Sequence, residues 1–419
     1  MLIMPGKRGG LWRHHGFVLL WGGQTISQLG SQVTLWALPL TAVLVLKATP
    51  GQMGLLAAAG SLPLLLFGLL AGAWVDRVRR RPLLITADLG RALLLGSVPA
   101  AALLGRLSLA QLYVVAFLAG ILSVFFAVAY QSFVPSLVER DQLVEANSKL
   151  EVSSALAGVA GPGLAGGLVQ VLTGPIAILA DALSFLVSAL SLAAIHAPEP
   201  QPSVAGRPHL ATEIGDGLRV VLRHPILRTL AVGSGLFNLF DGALVAVYVL
   251  YLTRTLGVAP ALVGVIFALG GLGGLLGAAL AGRITRRVGV GPALVGGVLL
   301  AGVAELVIAV AGGPRVVATT MVVLGEASVQ AGAVLYSVNT ISLRQAIVPR
   351  RLQGRVTATM RLIAGGVEPL GALMGGTLGD HYGLRSTVII AGAGTLLAFL
   401  WVVVSPVRRL REQPPPDDG

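Results

Sequence analysis

Apolar runs long enough to cross a bilayer recur twelve times along this chain, and no other feature constrains the fold as much. A helix rises about 1.5 Å per residue, so roughly 20 apolar residues span a hydrocarbon core. The runs lie at 17–46, 52–75, 83–104, 110–134, 148–172, 174–196, 227–253, 260–282, 291–312, 316–341, 356–379 and 385–405. Only 11% of the 419 residues are charged, against about 25% in a soluble domain. The chain therefore reads as an all-α membrane protein. Residues 1–15 are basic, but the next apolar run is too long for a signal peptide and has no small-residue cleavage site. Phe17 thus opens a true first span.

Most connections are short, so successive helices are neighbours. The exception follows residue 196. It opens with Pro198, Pro200 and Pro202, then holds an amphipathic piece at 211–222 with Ile214, Leu218 and Val221 on one face. This divides the chain into a six-helix bundle at 1–196, a linker at 197–226, a second six-helix bundle at 227–405 and a disordered tail at 406–419. With both termini cytoplasmic, the cytoplasmic segments carry 24 Lys and Arg and the outer ones five, with Arg91 inside a span. That asymmetry is the positive-inside rule. It accounts for the net charge of +12 without a nucleic-acid partner. The partners are the bilayer and a small solute, and a monomer is expected.

Several chemistries are excluded. There is no Cys, and none of the six His forms a metal-binding pair inside a span. No phosphate-binding Gly-x4-Gly-Lys-Ser/Thr loop occurs, so the chain does not hydrolyse ATP. No catalytic constellation lies within the spans. Neither an enzyme nor a cofactor or metal site is expected.

The two halves repeat. Asp76-Arg77 corresponds to Gly282-Arg283, and Gly161-Pro162 to Glu368-Pro369, at nearly the same offset. The loop from Gly72 to Pro82 contains Asp76, Arg77, Arg79, Arg80 and Arg81. This Gly-x-x-x-Asp-Arg pattern with trailing basic residues resembles the loop between helices 2 and 3 of the major facilitator superfamily. The resemblance covers nearly the whole chain. It implies two pseudo-symmetric bundles around a central cavity that opens to alternate sides. It also implies that Gly72, Asp76, Arg77, Arg80 and Arg81 form a cytoplasmic latch, with Asp76 at the N-terminal end of span 11, where the helix dipole favours a carboxylate. Arg79 stands where the family usually has Gly, a departure that bears on the shape of that turn.

Span 5 carries Gly158, Gly161, Pro162 and Gly166. Pro162 removes one backbone hydrogen bond and the glycines admit a close neighbour. The set resembles the antiporter motif of family exporters. Polar stripes recur at helical spacing, as Gln24, Ser27, Gln28 and Ser31 in span 1, Asn238 and Tyr248 in span 7, and Gln330 and Ser337 in span 10. Span 4 offers Phe126 and Tyr130. The resemblance makes these helices cavity-lining. Amides, hydroxyls and aromatics suit an amphipathic organic solute. A sugar phosphate or nitrate would call for inward-facing arginine.

Buried acids complete the picture. Asp88 and Arg91 stand at ion-pair spacing and read as structural. Asp181 and Glu305 are assigned to peripheral helices. Asp241 and Glu326 are the first candidates for proton or cationic-substrate sites, and Glu368 the third. A charge at mid-membrane costs roughly 2.5–3.5 kcal/mol on insertion scales, so such acids are kept for a reason.

Further segments resemble the exporter group that holds the enterobactin exporter and macrolide efflux proteins. They are Ser27 to Gly30, Tyr130 to Pro135, Ala146-Asn147, Asp181 to Phe185, Gly354 to Val356 and Pro369 to Gly371. Relatives often place an acid after the span 1 glycine, where this chain has Ser31-Gln32. The expectation is secondary, proton-coupled efflux of an amphipathic small molecule from the bacterial cytoplasmic membrane, with sodium the less favoured coupling ion. A proton-coupled uptake permease shares the fold and the loop, and only the direction of transport separates the two.

Overall fold

The computed structural model describes residues 11–75, 77–196, 210–349 and 352–412. Fourteen α-helices fill these segments. They are α1 (His15–Leu44), α2 (Pro50–Val75), α3 (Arg80–Leu103), α4 (Leu109–Leu137), α5 (Leu143–Leu172), α6 (Gly174–Ala194), α7 (Leu210–Arg223), α8 (Pro225–Leu250), α9 (Pro260–Val288), α10 (Val290–Ala309), α11 (Arg315–Ile347), α12 (Gln353–Gly366), α13 (Glu368–Tyr382) and α14 (Leu384–Val404). A π-helical turn, Tyr251–Thr255, extends α8. Local chemistry sets several boundaries. Ser108 Oγ accepts from the Gln111 amide to start α4, and proline occupies the first turn of α6, α8, α9 and α13. Proline suits that turn because its missing N–H has no helical partner there.

Ten of these helices are individually long and apolar enough to cross a membrane. The amphipathic α7 packs on α12, where Gly217 meets the Arg355 carbonyl. The remaining two spans are α1, rich in polar residues, and the pair α12–α13. Here the structure corrects the sequence reading, which drew one unbroken helix over 356–379. The chain breaks at Val367. Pro369 has no N–H for the carbonyl of Gly365, and Gly365-Gly366 bend easily. The turn before the corresponding Pro162 also holds two glycines, Gly158 and Gly161, but they are not adjacent, and α5 runs through it unbroken. The tail expected to be disordered from residue 406 instead starts with a 3-10 turn, Pro406–Arg409, whose Val407 is buried. The Gly291 amide donates to the Leu410 carbonyl at 2.8 Å, which ties this stretch to the start of α10.

The two halves pack alike. In the first, α1 packs on α5 and α6, α3 on α4 and α6, and α2 on α4. In the second, α8 packs on α13 and α14, α10 on α11 and α14, and α9 on α11. Across the halves, α5 meets α9 and α2 meets α13. Glycine makes both crossings possible. A Cβ on Gly166 would lie 2.5 Å from the Pro260 carbonyl, and one on Gly54 2.5 Å from the Ala372 carbonyl. Such contacts let backbones approach without a side chain between them. Outward faces carry exposed large apolar residues such as Leu93, Leu190, Leu276 and Leu324. Backbone groups are satisfied within the helices, as lipid requires.

The halves are joined at one end and parted at the other. At the arginine-poor end Trp36 of α1 stacks on Phe267 of α9, with ring centroids 3.6 Å apart. The Gly51 amide there donates to Asp380 Oδ2 at 3.1 Å. At the arginine-rich end each half keeps its own apolar cluster, one around Phe17 and Phe133, the other around Leu343 and Val356. Neither cluster includes a residue of the other half.

Candidate translocation site

A cavity of about 820 Å³ lies between the halves, with α2 and α4 on one side and α12 on the other. The α4 face turned to it carries Ser123, Ala127, Val128 and Gln131. A second cavity, of about 360 Å³, is cut into the other half between α8, α11 and α12, and includes Asn238 and Ser337. Arg361 lines both.

The expected aromatic wall of α4 points elsewhere. Phe126 is buried and lies over the Arg91 guanidinium at 4.3 Å, with Phe185 on that group's other side at 4.1 Å. Tyr130 stacks on Phe126. A guanidinium within the first bundle attracts ring faces, and this holds the aromatics inward. The span 1 stripe is a packing seam for the same kind of reason. Gln24 is buried and donates to Ser188 Oγ of α6 at 2.9 Å, and Ser27 is buried beside it. Ser31 and Gln28 are half-buried, and Gln28 Oε1 has no partner. Asp88 and Arg91 form the buried ion pair expected from their spacing.

The second half gathers the acids. Asp241 on α8 is half-buried and has no hydrogen bond among the described residues. It lies in the electrostatic field of Glu326 and Glu368. Glu326 is buried on α11, where its Oε1 accepts from Gln330 Nε2 at 3.0 Å. Gly270 of α9 clears room for it, since a Cβ there would lie 2.7 Å from Glu326 Cγ. The Tyr248 hydroxyl is close by but completes no hydrogen bond, and its ring meets Phe267 edge-on at the sealed end.

Glu305, read from sequence as peripheral, belongs to this group. It is fully buried on α10. Its Oε2 accepts from Thr395 Oγ1 at 2.8 Å, its Oε1 has no partner, and it lies in the field of Asp241 and Glu326. Four carboxyls thus share one region. Among the described residues the ion pairs are Asp88–Arg91 and Glu145–Lys149, so none of the four has a basic partner.

Around the loop of the expected latch, Asp76 lies outside the described residues. Arg80 Nη1 donates to the Ser132 carbonyl at 3.0 Å, and Arg81 Nε to the Leu192 carbonyl at 2.8 Å. Both arginines tie α3 to its own half, Arg81 at the end of α6, where free carbonyls favour a cation. Gly72 faces open space and Arg77 is exposed. In α5, Gly161 packs on Gln32 of α1, Gly166 on α9, and the Pro162 carbonyl faces Gly264. Gly158 has open space at its Cβ position.

Two basic residues depart from the neutral site expected from sequence. Arg344 and Arg361 both line the smaller cavity. Neither stood in a recognised motif, and only the cavity enclosed between α8, α11 and α12 brings them together.

A family model described as Major Facilitator Superfamily matches residues 20–366 and again 230–418. The chain belongs to the major facilitator superfamily. As a member it is a membrane-spanning transporter of small molecules rather than an enzyme. Multidrug efflux pump Tap of Mycolicibacterium fortuitum is 31% identical over 91% of this chain and 93% of its own length. Macrolide efflux protein A of Streptococcus pyogenes is 22% identical over 94% and 96%. These relatives place the chain in the exporter branch of the superfamily. The crystal structure of the nucleoside transporter NupG superposes with a TM-score of 0.76 at 10% identity, over 93% of this chain and 98% of that one. That likeness is one of fold.

Proposed function

We propose that this transporter exports amphipathic small molecules across a bacterial cytoplasmic membrane, driven by protons, with both termini in the cytoplasm. The observation that carries the reading is the cluster Asp241, Glu305, Glu326 and Glu368, which has no basic partner among the described residues. None of the four lines either cavity, and Asp241 follows Asn238 of the smaller one by about one helical turn. In this orientation the arginine-rich end faces the cytoplasm and the structure is an inward-open state. When the seal moves to the other end, the water reaching these carboxyls changes sides. A carboxylate moved between dry and wet surroundings exchanges its proton. Uptake outside and release inside lets the proton gradient drive the solute outward, and the membrane potential adds about 2.3 kcal/mol per charge per 100 mV. The efflux pumps among the relatives favour export. The loop around Asp76 serves as the latch of the opposite, inward-closed state, and the α5–α9 glycines carry the antiporter-like crossing.

Everted membrane vesicles test this directly. A fluorescent amphipathic dye should accumulate inside them when respiration builds a gradient, and leave when a protonophore is added. Asp241→Asn and Glu326→Gln should each lower gradient-driven accumulation by at least tenfold. If both proteins accumulate dye as the wild type does, the coupling assignment is wrong.

A further inference from the structure

The chemistry of the smaller cavity is not used by the proton cycle. Its walls are mostly apolar, including Phe237, Val334 and Met360. Into it also converge Asn238, Thr340, Arg344 and Arg361. The two guanidinium groups lie within each other's electrostatic field. Among the described residues neither has a hydrogen bond or an ion pair, and no carboxylate lines the cavity. Arg344 Nε and Thr340 Oγ1 are buried with no partner. Glu368 follows Arg361 by about two turns and does not pair with it.

Two like charges held together and left with unused donors raise each other's energy. An anion placed between them relieves that repulsion and takes up the donors. Guanidinium is the group best suited to this, because its planar fork meets a carboxylate or phosphate through two bonds. The apolar walls then take the remainder of the molecule. Arg361 is exposed, so its head is open to an incoming solute, whereas Arg344 is half-buried and its Nε is shut off from water, as a plain surface charge would not be.

We propose that Arg344 and Arg361, with Thr340 and Asn238, form a receptor for the anionic group of an amphipathic organic acid or zwitterion. This names a substrate class for the exporter and rests on that reading. The same chemistry would accept the phosphate of an anionic lipid, so the test separates the two sources.

Rhodamine B, which has a free carboxylate, and its ethyl ester differ only at the group in question. Their binding to the full-length protein in phosphatidylcholine nanodiscs is measured by fluorescence anisotropy, with empty discs subtracted. The wild type should bind rhodamine B about tenfold more tightly than the ester, the range of one charge-assisted hydrogen bond. Arg344→Gln and Arg361→Gln should each bring rhodamine B down to the affinity of the ester. The double variant Arg344→Lys, Arg361→Lys should keep part of the preference. Equal binding of acid and ester by the wild type overturns the proposal, as does an equal loss of both in the Gln variants. In phosphatidylglycerol discs the preference should persist. Its disappearance there overturns the solute assignment and gives the site to a lipid phosphate. Transport separates this from the export reading. Gradient-driven accumulation of both dyes alike, with equal binding, leaves export standing and this inference fallen. A clear binding preference with accumulation of neither dye does the reverse.

Discussion

Single residues in this protein are placed by the need to satisfy buried charge. Asp88 and Arg91 were legible from their spacing alone, since three residues on a helix put both on one face. Their aromatic neighbours were not. Phe126 and Tyr130 read as a cavity wall because helix number was the only guide, and rotation about the helix axis is decided by what lies across from it. Arg91 decides it here, between the rings of Phe126 and Phe185. Glu305 was missed for a related reason, because a peripheral helix still presents one face to the bundle interior. The buried pair makes a sharp prediction. Asp88→Asn leaves the guanidinium without its ion-pair partner, with only the field of Asp181 remaining, and should lower unfolding stability by about 3 kcal/mol, the low end of the cost of breaking a buried pair. The apolar double variant Asp88→Leu, Arg91→Met removes both charges and should cost much less. Unfolding followed by tryptophan fluorescence reads both. A double variant no better than the single would show that packing, not charge, sets the loss.

Helices and their turns were mostly visible in the pattern of apolar runs, and eleven spans meet a single matching helix. The twelfth breaks where two adjacent glycines, Gly365 and Gly366, precede its proline, whereas the separated Gly158 and Gly161 before Pro162 leave α5 continuous. Turn chemistry adds a detail that the repeat exposes. The sharp connections α5–α6 and α13–α14 are equivalent, and both need a positive φ, +94° at Thr173 and +84° at Gly383. Glycine adopts that backbone freely, whereas a threonine there is strained by about 1–3 kcal/mol. The Thr173 side chain is exposed, so little is lost with it. Thr173→Gly should therefore raise stability by about 1 kcal/mol once the extra freedom of glycine in the unfolded chain, about 0.5–1 kcal/mol, is set against the relief. A thermal unfolding midpoint below that of the wild type would contradict the strain.

The whole molecule is a two-fold repeat whose halves touch through glycine, and the repeat was legible as a constant offset between motifs. Which end is sealed was not, because the same sequence must form two closed ends in turn. The seal seen here depends on backbones meeting at Gly166 and Gly264, and at Gly54 and Gly376. A Cβ on Gly264 would collide with the Pro162 carbonyl, and backbone cannot yield as a flexible side chain can. Gly264→Val should therefore hold α5 and α9 apart at the arginine-poor end and shift the population toward the opposite state. The absence of native cysteine makes the shift measurable. Ser337→Cys places one thiol in the smaller cavity. In everted vesicles, where the arginine-rich end should face the medium, a membrane-impermeant maleimide should label it quickly. In right-side-out vesicles labelling should be slow, and Gly264→Val should speed it several-fold while slowing the reaction in everted ones. Labelling of Ser337→Cys at one rate from both faces, unchanged by the valine, would mean that the α5–α9 crossing does not close the passage.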